Sequence, residues 1–411
     1  MRRAHDVVVQ LLGSLGSEKE VRQYLQQYAS VDDPKVSVIK VGGRVIDQDL
    51  PALADALAFL SEVKLHPVVV HGAGPQLEHA LAEAGIAPEE RDDMYVTAPE
   101  VLEVARRVFR DENLRLVDAL AERGIHARPI TSGVLEARQK DAGELGLVGE
   151  VSRVHIGPLQ SSLKAGALPV IAPLGESISG QILHVHADEA TMAIARAQQA
   201  HKVVFLTDAG GLLDGNGRLI PAVNLAEDYE RLMQEPWATE PGRRRVRDIK
   251  RLLDELPHTS SVSITTPSFL ARELFTHKGA GTLLQRGERI ERHESFESID
   301  KGRVRSLLER CFGRALAPRY FEEKKPIAIY LADSYRAVAV VTLEEGTPYL
   351  DKFAVTAEAQ GAGVGASLWA RMVLDHPRLF WRSRRANPIN TWYFMKASGA
   401  VRDEEWVVFW I

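Results

Sequence analysis

Three stretches of the sequence place glycines directly after an apolar run and before residues at helical spacing. They are Lys40-Val41-Gly42-Gly43, His71-Gly72-Ala73-Gly74-Pro75 and Gln360-Gly361-Ala362-Gly363-Val364-Gly365. Glycine lets a backbone bring several N–H groups up to an anion, and the helix that follows adds its positive end. A strand-end lysine such as Lys40 can neutralise a phosphate. Taken singly, each turn is more often plain turn chemistry. Together with Thr207-Asp208-Ala209-Gly210-Gly211 and with Asp188 at a helix start, the first two form a more specific set. Farther along, Lys352 and Arg384 can bind carboxylates, the arginine bidentately, and Asn387 can add a donor. Arg382 and Arg385 read as solvated surface charges. Tyr393 reads as a core aromatic or as a phenol placed for chemistry.

These residues need strand ends and helix starts to hold them, and the pattern supplies both. Val36–Ile39, Val68–Val70, Leu168–Ala172, Val203–Leu206 and Val262–Thr265 are short apolar runs separated by helical stretches. Such alternation indicates a mostly parallel sheet covered by helices on both faces, with ligands at the carboxyl ends of its strands. The texture changes after Thr282. Residues 286–300 are strongly charged and read as a junction, giving domains over 1–285 and 301–411. In the second domain Val304, Leu307, Leu308, Cys311 and Phe312 make one apolar helical stripe, so Cys311 reads as core rather than nucleophile. Pro326–Leu331, Ala337–Leu343, Tyr349–Val355, Trp392–Phe394 and Trp406–Trp410 read as strands, and about Ala366–Leu374 as a helix. That is a small α+β unit.

At 411 residues, 45% apolar and 26% charged, the chain is long enough for two folded domains. A net charge of -5 argues against a nucleic-acid partner. The single cysteine fits a reducing, cytoplasmic setting, and no apolar run is long enough to span a membrane. The start, which runs into SEKEVRQYLQQY, reads as an amphipathic helix rather than a cleavable signal. No metal site is expected.

Residues 20–285, with Lys40, Gly42, Gly43, Gly72, Gly74 and Asp188, resemble the amino-acid kinase family, and within it the N-acetylglutamate kinases. Glu273-Leu274-Phe275-Thr276-His277-Lys278-Gly279-Ala280-Gly281-Thr282 resembles the signature of arginine-sensitive members, and Val21–Tyr28 their added N-terminal helix. The resemblance implies arginine at Glu273, Gly279 and Gly281. Departures matter as much. Tyr95 stands where the family has a carboxylate-clamping arginine, His184 where it has an asparagine, and Arg245 nearest to its second phosphate-binding lysine. Phosphoryl transfer depends on positioned charge, and arginine is not a compact point charge. The expectation is a degenerate, regulatory kinase domain; ATP and magnesium enter only if its site is active.

Gln360-x-x-Gly363-x-Gly365 resembles the pyrophosphate loop of Gcn5-related N-acetyltransferases. Tyr349–Phe353 and Leu379–Phe394 resemble the acetyltransferase domain of vertebrate-like N-acetylglutamate synthases. The domain order is that of those synthases and of bacterial fused synthase/kinases. The resemblance implies transfer of acetyl from acetyl-CoA to the amine of L-glutamate in arginine biosynthesis. Lys352, Arg384 and Asn387 would bind substrate. Phe353, Val355, Gln360, Gly361, Gly363, Gly365 and Ala366 would hold coenzyme A, and Tyr393 would protonate the leaving thiolate. It also implies a homo-oligomer, such as a tetramer. The rival readings are a bifunctional synthase/kinase and a non-catalytic arginine sensor.

Overall fold

The computed structural model describes residues 36–87, 89–91, 94–275, 280–357, 359 and 363–411. The chain folds into two units. The first comprises the residues up to Val223 together with Leu232–Gln285, and the second comprises Asn224–Arg231 with Arg286–Ile411.

The first unit is built on an eight-stranded sheet. Its order is Ala222–Asn224, Thr282–Gln285, Ser261–Thr265, Lys202–Leu206, Ser37–Val41, Val68–His71, Leu168–Ile171 and Ala127–Ile130. From Ser261–Thr265 to Ala127–Ile130 every neighbour pairs parallel. Val68–His71 and Leu168–Ile171 are buried along their whole length, as continuous apolar runs covered on both faces must be. The helices Gly43–Glu62 and Pro99–Ala121 share one core cluster and cover the same face; the second buries Val101, Leu102, Val104, Ala105, Val108 and Phe109 at helical spacing. Because the strands run in one direction, the turns after Val41, His71 and Leu206 gather at one sheet edge.

The second unit is a seven-stranded sheet in the order Ile290–His293, Pro326–Ala332, Ala337–Glu344, Thr347–Val355, Phe380–Arg384, Trp406–Trp410, Gly399–Arg402. The helices Lys301–Phe312 and Val364–Asp375 pack on its apolar side chains. Two expectations need correction. Residues 286–300 are not a bare junction, because Ile290–His293 pairs with Ile329–Ala332 and is an edge strand of this sheet. Trp392–Phe394 is not a strand but part of the helix Asn390–Lys396. Its aromatic residues favour strands locally. Tertiary contacts override that preference: the helix buries Tyr393 among Trp369, Trp381 and Phe409. Cys311 is partly buried against the cluster of Val304, Leu307 and Leu308.

Candidate functional sites

In the first unit the two glycine turns interlock. A β-carbon on Gly43 would meet Gln76 Oε1 at 2.7 Å and Pro75 Cδ at 2.9 Å, so only glycine fits that approach. Gln76 Nε2 donates to the Gly43 carbonyl at 2.9 Å. Two expected anion donors are spent within the sheet edge: the Gly42 amide bonds Leu206 O at 3.1 Å, and the Gly72 amide bonds Val41 O at 2.8 Å. That corrects their role to shaping the turns. The first-turn amides of the helices starting at Gly43 and Gly74 are the donors that helix geometry leaves to an anion.

Lys40, Asp188 and Arg245 come together. Lys40 Nζ lies 3.0 Å from Asp188 Oδ1, and Arg245 Nε donates to Oδ2 at 3.2 Å. Burial would push the Asp188 carboxyl up. Lys40, Arg245 and His186 outweigh it and hold the group well below the usual carboxylate range. The His186 ring accepts from the Asp188 amide and caps the helix Ala187–Ala197. Arg245 is delivered by the second turn of the helix Glu240–Glu255. His184 is neutral: burial pushes it down to about 4, and Nδ1 faces Thr97 Oγ1 at 3.3 Å. Tyr95 donates to Glu78 at 3.2 Å. Sequence reasoning missed Asn113, whose Nδ2 reaches both His71 Nε2 (3.1 Å) and Val170 O (3.0 Å) under the second turn.

Glu273 differs from the expectation. It is 1% exposed, and its carboxylate accepts from Ser263 Oγ at 2.6 Å and from the Ala280 amide at 3.0 Å, with Lys202 Nζ 3.6 Å away. Burial raises its pKa, but Lys202, Ser263 and the Ala280 and Gly281 amides hold it below the ordinary value. The amides expected to meet a ligand carboxylate therefore meet Glu273 itself. Gly281 is glycine because a β-carbon there would lie 2.0 Å from Ile264 O. Gly279 lies outside the described residues, as does the stretch Val21–Tyr28.

In the second unit the strands Thr347–Val355 and Phe380–Arg384 run parallel but pair only at Tyr349 with Phe380. Beyond that pair they diverge and leave a wedge between them. At the carboxyl end of the first strand, Gly363 (φ 76°) caps the helix Val364–Asp375 from the left-handed region. A β-carbon on Gly365 would sit 3.2 Å from Val355 Cγ2, so the helix start is held close against the strand. The Ala366 amide is bonded to Gly363 O, which leaves the earlier amides facing outward from the helix end. Gln360 and Gly361 lie outside the described residues.

Tyr393 is 6% exposed, within ring contact of Phe353, Trp369, Trp381, Trp392 and Phe409. Burial, then the neighbouring Tyr349, raises its phenol above the ordinary range, so it stays protonated at working pH. Lys352 points to the other face of the sheet. A bulge between Leu350 and Lys352 makes Asp351 the extra residue of the strand. Asp351 accepts from Lys352 Nζ at 2.7 Å and from Tyr320 OH at 2.7 Å, and Lys324 Nζ stands 3.1 Å from it. Arg384 lies 4.9 Å over the Trp406 ring and 3.8 Å from Glu405. Asn387 Oδ1 accepts from the Ile389 amide at 3.3 Å, a turn contact that fixes the side chain by its oxygen and leaves the expected donor role to Nδ2. The sequence did not mark Asp351, Tyr320 or Lys324, because a bulge leaves no signal in composition. It also undervalued Arg382, whose charge acts on the Tyr349 phenol and which stacks 4.8 Å from the Trp406 ring.

Among the described residues no group of three or more His, Cys, Asp or Glu side chains is placed to hold a metal, and no helix is long and apolar enough to cross a membrane.

Comparison with known proteins places this geometry. Residues 35–241 match the Amino acid kinase family, and residues 291–411 match the N-acetyltransferase of N-acetylglutamate synthase. The chain is 47% identical over 401 residues to a Xanthomonas campestris protein named acetylglutamate kinase, covering 96% of this chain and 94% of that one. It is 34% identical over 405 residues to human mitochondrial N-acetylglutamate synthase, covering 96% and 72%. The structure of N-acetylglutamate synthase from Neisseria gonorrhoeae complexed with coenzyme A and N-acetyl-glutamate superposes with a TM-score of 0.69 at 22% identity, covering 95% of this chain and 98% of that one. That likeness shows the fold: an amino-acid kinase domain followed by an N-acetyltransferase domain.

Proposed function

The chain belongs to the amino acid kinase family and carries the N-acetyltransferase domain of N-acetylglutamate synthase, and from that premise we propose that it transfers acetyl from acetyl-CoA to the amine of L-glutamate in arginine biosynthesis. The observation that carries this reading is the wedge between Thr347–Val355 and Phe380–Arg384, with a helix start at one end and Tyr393 beside it. The wedge-facing edge of Thr347–Val355 near Phe353 offers backbone groups to the thioester, and the amides at Val364 and Gly365 offer donors to the pyrophosphate. Lys352 and Arg384, with Arg382, supply cations for glutamate's carboxylates.

The reaction needs the glutamate ammonium to lose a proton first, to water or a side chain. The freed nitrogen then attacks the thioester carbonyl, the C–N bond forms, and the C–S bond breaks. Tyr393 holds its proton firmly, which suits a donor to the departing thiolate only because the same dry surroundings also raise the thiolate's affinity for a proton. Both substrates are bound together, so no acetyl-enzyme forms. The full chain with acetyl-CoA and glutamate should release free thiol in step with N-acetylglutamate; thiol release without that product would remove the reading.

A second reading is favoured by the Lys40–Asp188–Arg245 cluster and by the name of the X. campestris relative: phosphoryl transfer from ATP to N-acetylglutamate. Magnesium would arrive on the nucleotide's phosphates. Asp188, with both oxygens cation-paired, orients Lys40 and Arg245 and is not set up as a metal ligand. Against this reading stand Tyr95, which supplies no guanidinium fork, and His184, a neutral buried imidazole in the place of an asparagine. Phosphate transfer to N-acetylglutamate by the full chain decides between an active and a purely regulatory first unit. Arginine as effector and assembly as a tetramer belong to the same proposal; light scattering measures the latter.

A further inference from the structure

Asn224 is flanked in sequence by residues of the first unit but folds with the second. The residues up to Val223 and from Leu232 to Gln285 belong to the first unit, whereas Asn224–Arg231 belongs to the second. Oδ1 of Asn224 accepts from the Ala226 amide at 3.0 Å, at the start of the helix Leu225–Gln234. That bond is what an asparagine at a helix start ordinarily makes. Nδ2 goes further: it donates to Glu288 O at 3.1 Å and to Ser367 Oγ at 3.0 Å. Gly287, in the left-handed region at φ 68°, leaves room for this side chain, because a β-carbon there would run into Asn224 Oδ1.

Ser367 gives the contact its importance. It lies in the first turn of the helix Val364–Asp375, and its own amide bonds Gly363 O at 3.0 Å. This is the turn whose opening amides would take the pyrophosphate of coenzyme A. On its inner side Val364 and Leu368 are buried, and Gly365 stands close against Val355. Asn224 holds the same turn by Ser367. Four residues on, and so on the same flank of the helix, stands Arg371. Its charge acts on Glu227, whose Oε1 accepts from the Ile290 amide at 3.0 Å. The segment thus meets this flank at two points one helical turn apart. A helix end is its loosest part, because the first amides have no partner within the helix. Amides that must converge on a phosphate bind it more tightly when their turn is ordered beforehand.

We propose that Asn224 is a positioning residue for coenzyme A: its bond to Ser367 orders the turn that receives the pyrophosphate, which makes Asn224–Arg231 a working part of the acetyltransferase. The inference rests on the acetyltransferase reading. An asparagine that only capped its own helix would affect stability and nothing at the coenzyme A site.

The test measures coenzyme A binding by calorimetry and steady-state rates with both substrates. It compares the full chain with Asn224→Ala, Ser367→Ala and the double variant. Ser367→Ala puts the best helix former at a helical position, so the fold is kept and this variant decides the matter even where Asn224→Ala is unstable. Each single change should weaken coenzyme A binding about three- to tenfold, the worth of one hydrogen bond. KM for acetyl-CoA should rise by the same factor while KM for glutamate stays as in the wild type. Both changes remove one and the same bond, so the double variant should bind no more weakly than Asn224→Ala alone. Wild-type affinity in Ser367→Ala, losses that multiply in the double variant, or an equal rise in both KM values overturns the role of Asn224 while the acetyltransferase reading stands. A wild-type chain that binds no coenzyme A removes that reading, and this inference with it.

Discussion

His71 ends a central strand of the first unit, is fully buried, and accepts from Asn113 through Nε2. Burial pushes its pKa from 6.5 down to about 4. In the unfolded chain it binds a proton near 6.5. Between those values the unfolded state holds the extra proton, so stability rises with pH through this window and is lost as pH falls from 6.5 towards 4. A shift of about 2.5 units corresponds to about 3 kcal/mol, all of it present at pH 7 and nearly all gone below pH 4. At pH 5.2 unfolding should take up close to one proton on account of His71 alone, a slope of about 1 kcal/mol per pH unit. Replacing His71 by leucine removes the titration and leaves Asn113 its bond to Val170 O. Calorimetric unfolding at pH 5.2, in two buffers of different ionisation heat, gives the proton uptake directly. Wild type should exceed His71→Leu by about one proton; equal uptake would refute the claim that His71 is held neutral. The point bears on function: a neutral His71 adds no charge beside Gly72–Gly74, so Lys40, Arg245 and the helix ends must provide the field for any phosphate.

Tyr393→Phe should lower kcat for acetyl transfer by about 10²–10⁴ with little change in either KM, measured by initial rates; unchanged turnover would return Tyr393 to a packing role. Gly43→Ala forces a β-carbon against Gln76 and Pro75, so nucleotide binding by calorimetry should weaken while glutamate acetylation is untouched. Arginine at millimolar concentration should change acetylation by the wild type, and it should still do so in Glu273→Gln, because the Glu273 carboxylate is already taken by Lys202, Ser263 and the Ala280 amide; loss of the response in that variant would put Glu273 back into the effector site.

Much of this was legible because the chemistry sits at strand ends. Lys40 and the Gly42 and Gly72 turns stand at the ends of uninterrupted apolar runs, where a parallel sheet gathers its strand ends, and the Gly363–Gly365 helix start follows a strand as well. What escaped the sequence depends on long-range partners. Arg245 is one of three consecutive arginines, and only the packing of its helix decides which one meets Asp188. Glu273 reads as a ligand-binding acid until Lys202, distant in sequence, is seen to occupy it. Trp392–Phe394 carries strand-forming residues, yet the aromatic cluster around Tyr393 takes them as a helix. The Asp351 bulge puts Leu350 and Phe353, three residues apart, on the same face and Lys352 on the face opposite Leu350, and no periodicity in Thr347–Val355 announces it.

The central claim is that the wedge in the second unit acetylates glutamate. The most direct measurement is mass-spectrometric product analysis after incubating the purified full chain with acetyl-CoA bearing a labelled acetyl group and with L-glutamate. The account predicts N-acetylglutamate carrying the label, in amounts equal to the coenzyme A released, and a product yield that collapses in Tyr393→Phe. Coenzyme A released with no labelled N-acetylglutamate, or labelled product made equally well by Tyr393→Phe, would contradict it.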